Sequence, residues 1–232
     1  VQMIQCRKFK SEADWLEARK GAISATDVGA LVGISDFGKT ALDVYMKAVY
    51  GKEKKLDENS PLIVRGHLLE PLIRKGFAID YADTYKVTNP PQKGNWIWWD
   101  DGRPYLKGSL DGVLTRRSDR KQGILEIKTT ELIEGSRKLE DWREGTLPQT
   151  YITQVLTYLA ITGWEYAVLR VRIRVSSIDR VTHQKSFKGV EMHDYYFDSE
   201  ELSEQIEGVK KTVDDFWKEH VIPKKVPDVK VL

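Results

Sequence analysis

The chain has 232 residues and a near-balanced charge, 37 basic against 35 acidic side chains for a net of +2. That balance excludes a uniformly basic nucleic-acid coat and a disordered acidic tail, but it suits an enzyme that carries acids at its site and bases around it. The lone cysteine, Cys6, excludes a disulfide framework, a cysteine-rich zinc site and a four-cysteine iron–sulfur cluster, and points to a reducing setting. A hydrophobic content of 41%, with seven Trp, is enough for one sizeable core, so a single domain over residues 1–232 is expected. No apolar run approaches the roughly 20 residues of a membrane span. The opening segment VQMIQCRKFKSEADW turns polar too early for a signal peptide, so a soluble, cytoplasmic protein is expected.

Helical signals dominate the first third. Residues 11–20 open on Ser11 as N-cap, with Asp14 three residues on, and end at Gly21. Ser24 and Asp27 form a second capping pair before TDVGALVGI. A third helix is predicted from Thr40 to Tyr50, stopping at Gly51. Ser60-Pro61 reads as N-cap and N1 of a long helix through Tyr81, with a kink or break at Leu69 and Glu70 because Pro71 falls inside it. From Thr84 the period changes to two. Residues 96–99, 106–114 and 123–128 read as strands, with a bend at Gly112. Residues 148–162 form an amphipathic helix with Pro148 near N1. Residues 166–175 and 190–197 are strands, and Ser199 caps a last helix to about Glu219. Strands in the middle with helices on both sides predict an α/β domain around a mixed sheet.

The sharpest local feature is Ile124-Leu125-Glu126-Ile127-Lys128. Its apolar residues mark a buried strand, yet Glu126 and Lys128, two apart, share one face. Buried charges are costly unless paired or metal-bound, so that face should meet a polar site. Asp111 lies fifteen residues earlier, a short hairpin away. An Asp followed by Glu-x-Lys is the set that metal-dependent phosphodiester cleavage requires: two hard carboxylates for Mg²⁺ and a lysine to orient water and stabilise developing charge. By pattern alone, an Asp on a turn and a Glu–Lys pair at a sheet edge explain these residues equally well.

Four further segments bear on the choice. Trp15-Leu16-Glu17-Ala18-Arg19-Lys20-Gly21-Ala22-Ile23-Ser24-Ala25-Thr26-Asp27 comes first, then Arg65-Gly66-His67-Leu68-Leu69-Glu70-Pro71. Gly108-Ser109-Leu110-Asp111-Gly112 precedes Leu125-Glu126-Ile127-Lys128, and Gln154-Val155-Leu156-Thr157-Tyr158 follows it. Together, in this order and over about residues 15–170, they resemble the lambda-exonuclease-like, YqaJ-type phage recombinase nucleases of the PD-(D/E)xK superfamily. One departure is Leu110, where many members have Pro.

The resemblance implies a restriction-endonuclease-like core, a central mixed sheet flanked by helices. It implies Asp111, Glu126 and the Ile127 carbonyl as Mg²⁺ ligands, two ions per site with Mn²⁺ able to substitute. It makes Lys128 the helper of the nucleophilic water, and adds Glu70 and Gln154 to the catalytic set, with Tyr158 one turn beyond. Arg19, Ser24 and Thr26, with Lys39 as a weaker addition, would hold a 5′ phosphate. Read without it, Glu70 is a solvated helix carboxylate, Gln154 and Tyr158 pack in a core, and residues 19–26 are a cap beside a surface arginine. The implied activity is that of a phage or prophage alkaline exonuclease, degrading one strand of linear duplex DNA 5′ to 3′ and leaving 3′ tails for recombination. A homotrimer and a single-strand annealing partner belong to that picture, in a bacterial cytoplasm. An endonuclease with the same core, and a non-catalytic DNA-binding protein on a degenerate nuclease fold, are the alternatives. The Arg170, Arg172 and Arg174 row reads either as a DNA track or as a solvated sheet face. The Trp96, Trp98 and Trp99 cluster reads as core or interface.

Overall fold

The computed structural model describes residues 2–35, 38–53, 60–91 and 96–228. Strand β1 (Ile4–Lys8), which carries no clear signal in the sequence, leads into helix α1 (Glu12–Arg19). The helix starts where the Ser11 hydroxyl accepts from the Asp14 N–H, and the chain then turns at Gly21 with φ +65°, a conformation that favours glycine. Strand β2 (Ile23–Ser24) and the short helix α2 (Val28–Leu31) follow. Ser24 and Asp27 pair as expected, the Asp27 carboxylate accepting from the Ser24 N–H at 2.7 Å, but the pair closes a turn ahead of the helix and α2 begins only after Asp27. Helix α3 (Ala41–Tyr50) has a full capping box between Thr40 and Asp43 and ends on left-handed Gly51. Helix α4 (Pro61–Asp80) runs unbroken past Glu70, against the expected break. Pro71 lacks an N–H for the His67 carbonyl, but its ring is exposed and meets no packed neighbour, so one missing rung is tolerated.

Strands β3 (Tyr85–Thr88), β4 (Trp96–Asp100), β5 (Leu106–Lys107), β6 (Gly112–Arg116) and β7 (Gln122–Ile133) come next. The single strand expected over residues 106–114 is therefore two, parted by residues 108–111. The reason lies in where four successive carbonyls go. Gly108 accepts from the Trp98 N–H at 2.8 Å, Ser109 from the Tyr158 hydroxyl at 3.0 Å, Leu110 from Trp96 Nε1 at 2.8 Å and Asp111 from Arg74 at 2.6 Å. They go to three elements, β4, α4 and the later helix Gln149–Thr162, and only the Trp98 bond is a backbone ladder bond, so no single ladder can hold the segment.

Helix α5 (Arg137–Arg143) precedes α6 (Gln149–Thr162), where Pro148 is the N-cap and not N1. Strands β8 (Tyr166–Ile178) and β9 (Lys185–Asp198) and helix α7 (Ser203–Phe216), continued by a π turn over Trp217–Val221, complete the described chain. Ser199 caps nothing. The Asp198 carboxylate takes the Glu200 N–H at 2.8 Å in a turn, and α7 begins three residues later than expected, with Leu202 at the N-cap position.

The main sheet has the order β3-β6-β7-β8-β9, with β7–β8 parallel and the other pairs antiparallel. Helix α6 lies in the crossover between the parallel strands, and β1–β4 and β2–β5 form two small side pairs. Leu125 and Ile127 pack with Leu114, Tyr166 and Val168 on one face, against Ile73 and Phe77 of α4. Ile124, Leu169, Val171 and Ile173 line the other, larger core with α2, α6 and α7. The architecture is the mixed α/β one expected, a central mixed sheet flanked by helices. Among the described residues no helix is long and apolar enough to cross a membrane.

Candidate active site

Strand alternation sends Leu125 and Ile127 towards α4 and leaves Glu126 and Lys128 on the face covered by α6. The β6–β7 register pairs Gly112 with Leu125, which brings the preceding Asp111 beside Glu126 and Ile127. The Ile127 N–H donates to Asp111 Oδ2 at 2.7 Å, so it is the amide of Ile127 that touches Asp111. Lys128 Nζ lies 2.6 Å from Glu126 Oε1 and 5.4 Å from the centre of the Tyr151 ring. Gln154 Nε2 donates to the same Glu126 oxygen at 2.9 Å and to the Tyr158 hydroxyl at 2.8 Å. Tyr158 in turn donates to the Ser109 carbonyl. Asp111, Glu126, Lys128, Gln154 and Tyr158 thus form one connected group at the wall of an open cavity of about 790 Å³.

The electrostatics are those of a site short of positive charge. Burial raises the Asp111 pKa well above the carboxylate range, and the Glu126 and Glu70 charges raise it further. Burial raises that of Glu126 too, against the opposing pull of Lys128. Burial would lower the Lys128 pKa, but the two carboxylates outweigh it and the net shift is upward. Tyr158 is held well above its usual value by burial and by the same acids, and stays a neutral donor. Glu126 Oε2 is buried with no hydrogen-bond partner among the described residues.

These features fit a divalent cation. The orphaned oxygen and the like-charged carboxylate pair both await positive charge. Glu70 lines the same cavity, with its Oε1 paired to Arg74 at 2.7 Å, and among the described residues no three acidic, His or Cys side chains gather as a metal cage. Two carboxylates with the remaining positions left to water and phosphate oxygens is the usual habit of Mg²⁺. Arg74 is the participant that sequence reasoning missed. It is buried, and its guanidinium joins Glu70 to the Asp111 carbonyl, fixing the acid's backbone. Its signal was the spacing Glu70-x₃-Arg74 on one helix face.

The same cavity is also lined by Trp15, Arg19, Ser24 and Thr26. The Arg19 guanidinium stacks over the Trp15 ring at 4.3 Å, and Trp15 Nε1 donates to the Ser109 hydroxyl at 3.1 Å. Lys39 does not join them. It pairs with the buried Asp27, and it is absent from the cavity lining. Asp36 and Phe37, the start of its motif, lie outside the described residues. Arg170 is no DNA track either: it is buried between Asp194 at 2.9 Å and Asp80 at 2.7 Å, over the Phe77 and Tyr81 rings. Arg174 stacks on Phe187. Trp96 is core, as expected, and Trp98 packs edge-on against it.

The order of these parts along the chain is shared with known proteins. A profile described as the YqaJ-like viral recombinase domain matches residues 14–165, which contain every residue of the acidic cluster. The chain belongs to this family. Its relative YqaJ of Bacillus subtilis (strain 168), an uncharacterized protein, is 23% identical over 217 residues; the match covers 94% of this chain and 59% of the relative, so the chain spans about six tenths of that protein's length. Among solved structures, an alkaline exonuclease from Laribacter hongkongensis (LHK-Exo) superposes with a TM-score of 0.59 at 19% identity, covering 92% of this chain and 94% of that one. A phage-related exonuclease from Haemophilus somnus 129PT gives a TM-score of 0.51 at 11% identity, covering 88% and 96%. At such identities the likeness establishes the fold, which is the restriction-endonuclease-like one the family resemblance implied.

Proposed function

We propose that the protein is a Mg²⁺-dependent deoxyribonuclease that degrades one strand of linear duplex DNA from its 5′ end. The observation that carries this reading is the Asp111–Glu126–Lys128 group, with a buried carboxylate oxygen that has no hydrogen-bond partner among the described residues, lining one cavity together with Arg19 and Thr26. Asp111 and Glu126 would hold the cation, with the Ile127 carbonyl as a further candidate donor. A bound Mg²⁺ supplies Lewis acidity towards the phosphate and lowers the pKa of its water. Lys128, borne on Glu126 at the cavity wall, orients the attacking water and stabilises the charge that develops on the phosphate oxygens. Gln154 and Tyr158 hold Glu126 in place, and Arg74 holds Glu70 and the Asp111 backbone. Arg19 and Thr26 would receive the terminal phosphate, fixing the scissile bond relative to the acids. Production of 3′ tails for recombination, a homotrimer, a single-strand annealing partner and a bacterial cytoplasm complete the proposal by family resemblance.

The test uses three duplexes with Mg²⁺: linear with a 5′ phosphate, linear with a 5′ hydroxyl, and covalently closed circular. EDTA and the Lys128→Ala variant serve as controls. Fast loss of the 5′-phosphorylated strand, with the circle intact and both controls silent, is the expected result. A cut circle would replace this reading with that of an endonuclease. No cleavage with Mg²⁺ or Mn²⁺, despite binding, would leave a DNA-binding protein on a nuclease fold.

A further inference from the structure

Behind the Arg19–Thr26 side of the cavity lies a buried ionic cluster that the chemistry above does not use. The Asp27 side chain is fully buried and that of Lys47 is 2% exposed. Asp27 Oδ2 accepts from three donors: the Ser24 N–H at 2.7 Å, the Ser24 hydroxyl at 2.7 Å and Lys47 Nζ at 2.8 Å. Lys39 pairs with Oδ1. Lys47 also reaches the Ser24 hydroxyl oxygen at 3.2 Å and Glu53 at 3.3 Å. Burial would raise the Asp27 pKa, but the two ammonium groups outweigh it and hold it at about 2.

Counting protons sorts the two hydroxyls of this turn. Ser24 has one hydroxyl proton, and it goes to Asp27. Its oxygen accepts from Lys47, so in the 3.1 Å contact with Thr26 the serine is left as the acceptor and the threonine as the donor. Ser24 therefore has no proton to give a phosphate, whereas the exposed Thr26 can exchange its 3.1 Å contact to Ser24 for a phosphate oxygen, turning its one proton outward.

We infer that Asp27 and Lys47 are positioning residues for recognition of a terminal phosphate: they lock Ser24 as an acceptor and thereby present Thr26 as the donor that faces the cavity. Lys39 is the second counter-charge of Asp27 and not a phosphate ligand. The inference rests on the proposed exonuclease reading, and it reassigns Ser24 and Lys39 within it. A buried ion pair held at 2.8 Å, with a hydroxyl inserted between its members, keeps the turn in one geometry. Loss of the Asp27 charge frees the serine proton, and loss of Lys47 frees the serine oxygen; either removes the constraint on the turn.

The experiment compares kcat and KM on linear duplexes bearing a 5′ phosphate or a 5′ hydroxyl, with thermal unfolding of each variant alongside. Lys47→Met should cut the preference for the 5′-phosphorylated end by about 10-fold or more, through KM, while kcat on the 5′-hydroxyl duplex stays within about 2-fold of wild type. Thr26→Val should lose the preference to the same degree, and Thr26→Ser, which keeps the hydroxyl, should retain it. If Lys47→Met does not fold, the Asp27→Asn/Lys47→Met variant replaces the pair by neutral groups of similar shape, and the same loss is expected. An equal fall on both substrates, as general loosening would give, overturns the inference, as does an unchanged preference. Wild-type protein that cleaves both ends equally overturns the phosphate reading itself, and that control separates the two failures.

Discussion

Replacing Glu126 by Gln separates the charge of this carboxylate from its shape. The residue is 2% exposed, burial raises its pKa, and Oε2 has no hydrogen-bond partner among the described residues. A glutamine keeps one oxygen for Lys128 and Gln154 and places an amide where Oε2 stands, facing Asp111. A buried unsatisfied polar atom costs about 1–3 kcal/mol. Against that gain stands the weakened Lys128 contact; the lysine side chain is 21% exposed and keeps the glutamine oxygen as acceptor, a loss of about 1 kcal/mol. The balance favours the variant by about 1 kcal/mol, or roughly 2–4 °C in Tm for a chain of this size. The wild type should gain about 1.4 kcal/mol from Mg²⁺ at ten times its Kd, and the variant should gain nothing. Thermal unfolding with and without Mg²⁺, beside a cleavage assay, reads all three quantities. A variant that is inactive, equally or more stable and blind to Mg²⁺ bears out the argument. A variant that melts well below wild type, or keeps the Mg²⁺ shift, refutes the assignment of Glu126 as a strained cation ligand.

Other expectations follow from the same geometry. Arg74→Met strips the Asp111 carbonyl of its donor and should cost about 1–3 kcal/mol by denaturant unfolding, together with at least a 10-fold loss of cleavage; wild-type cleavage in a folded variant would show that Asp111 needs no such anchor. Gly108→Ala would put a Cβ 2.9 Å from the Tyr158 ring, so it should cost about 1–3 kcal/mol and lower kcat by displacing Tyr158 from Gln154; unchanged kcat and Tm would count against that packing. The pH dependence has a defined sign. Asp111 and Glu126 are raised carboxylates, so the folded protein holds more protons than the unfolded chain, and their contribution to stability falls as pH rises above about 4. Mg²⁺ binding displaces those protons, so its Tm shift should grow between pH 5 and 9; a shift independent of pH would exclude protonated ligands.

Capping and period signals made most elements legible, because Ser11, Thr40 and Gly51 act locally and need no distant partner. Ser199 misled, because the turn after β9 is held by Asp198 in its place. The Ser24–Asp27 pair was legible, but not the lysine twenty residues away that also binds Asp27. The strand predicted through Gly108–Asp111 failed because Tyr158, Trp96 and Arg74 claim its carbonyls, and no window of sequence contains them all. The acidic pair was readable because strand alternation alone puts Glu126 and Lys128 on one face. The reassignment of Lys39 was not, since a lysine near a glycine looks the same whether it meets a phosphate or a buried carboxylate.

The parallel pairing of β7 with β8 has a bearing on when the chain becomes competent. Strands β6 and β7 bring Asp111 and Glu126 together by a local hairpin. Gln154 arrives only with α6, and the wall that buries the pair closes only when β8 docks, with Glu126 opposite Leu169 forty-three residues on. A nascent chain that has emerged only to the end of β7 therefore carries both acids in open water. There they behave as ordinary solvated carboxylates with little hold on a cation. The site is complete only once this non-local closure has formed, later than the hairpin that brings the two acids together.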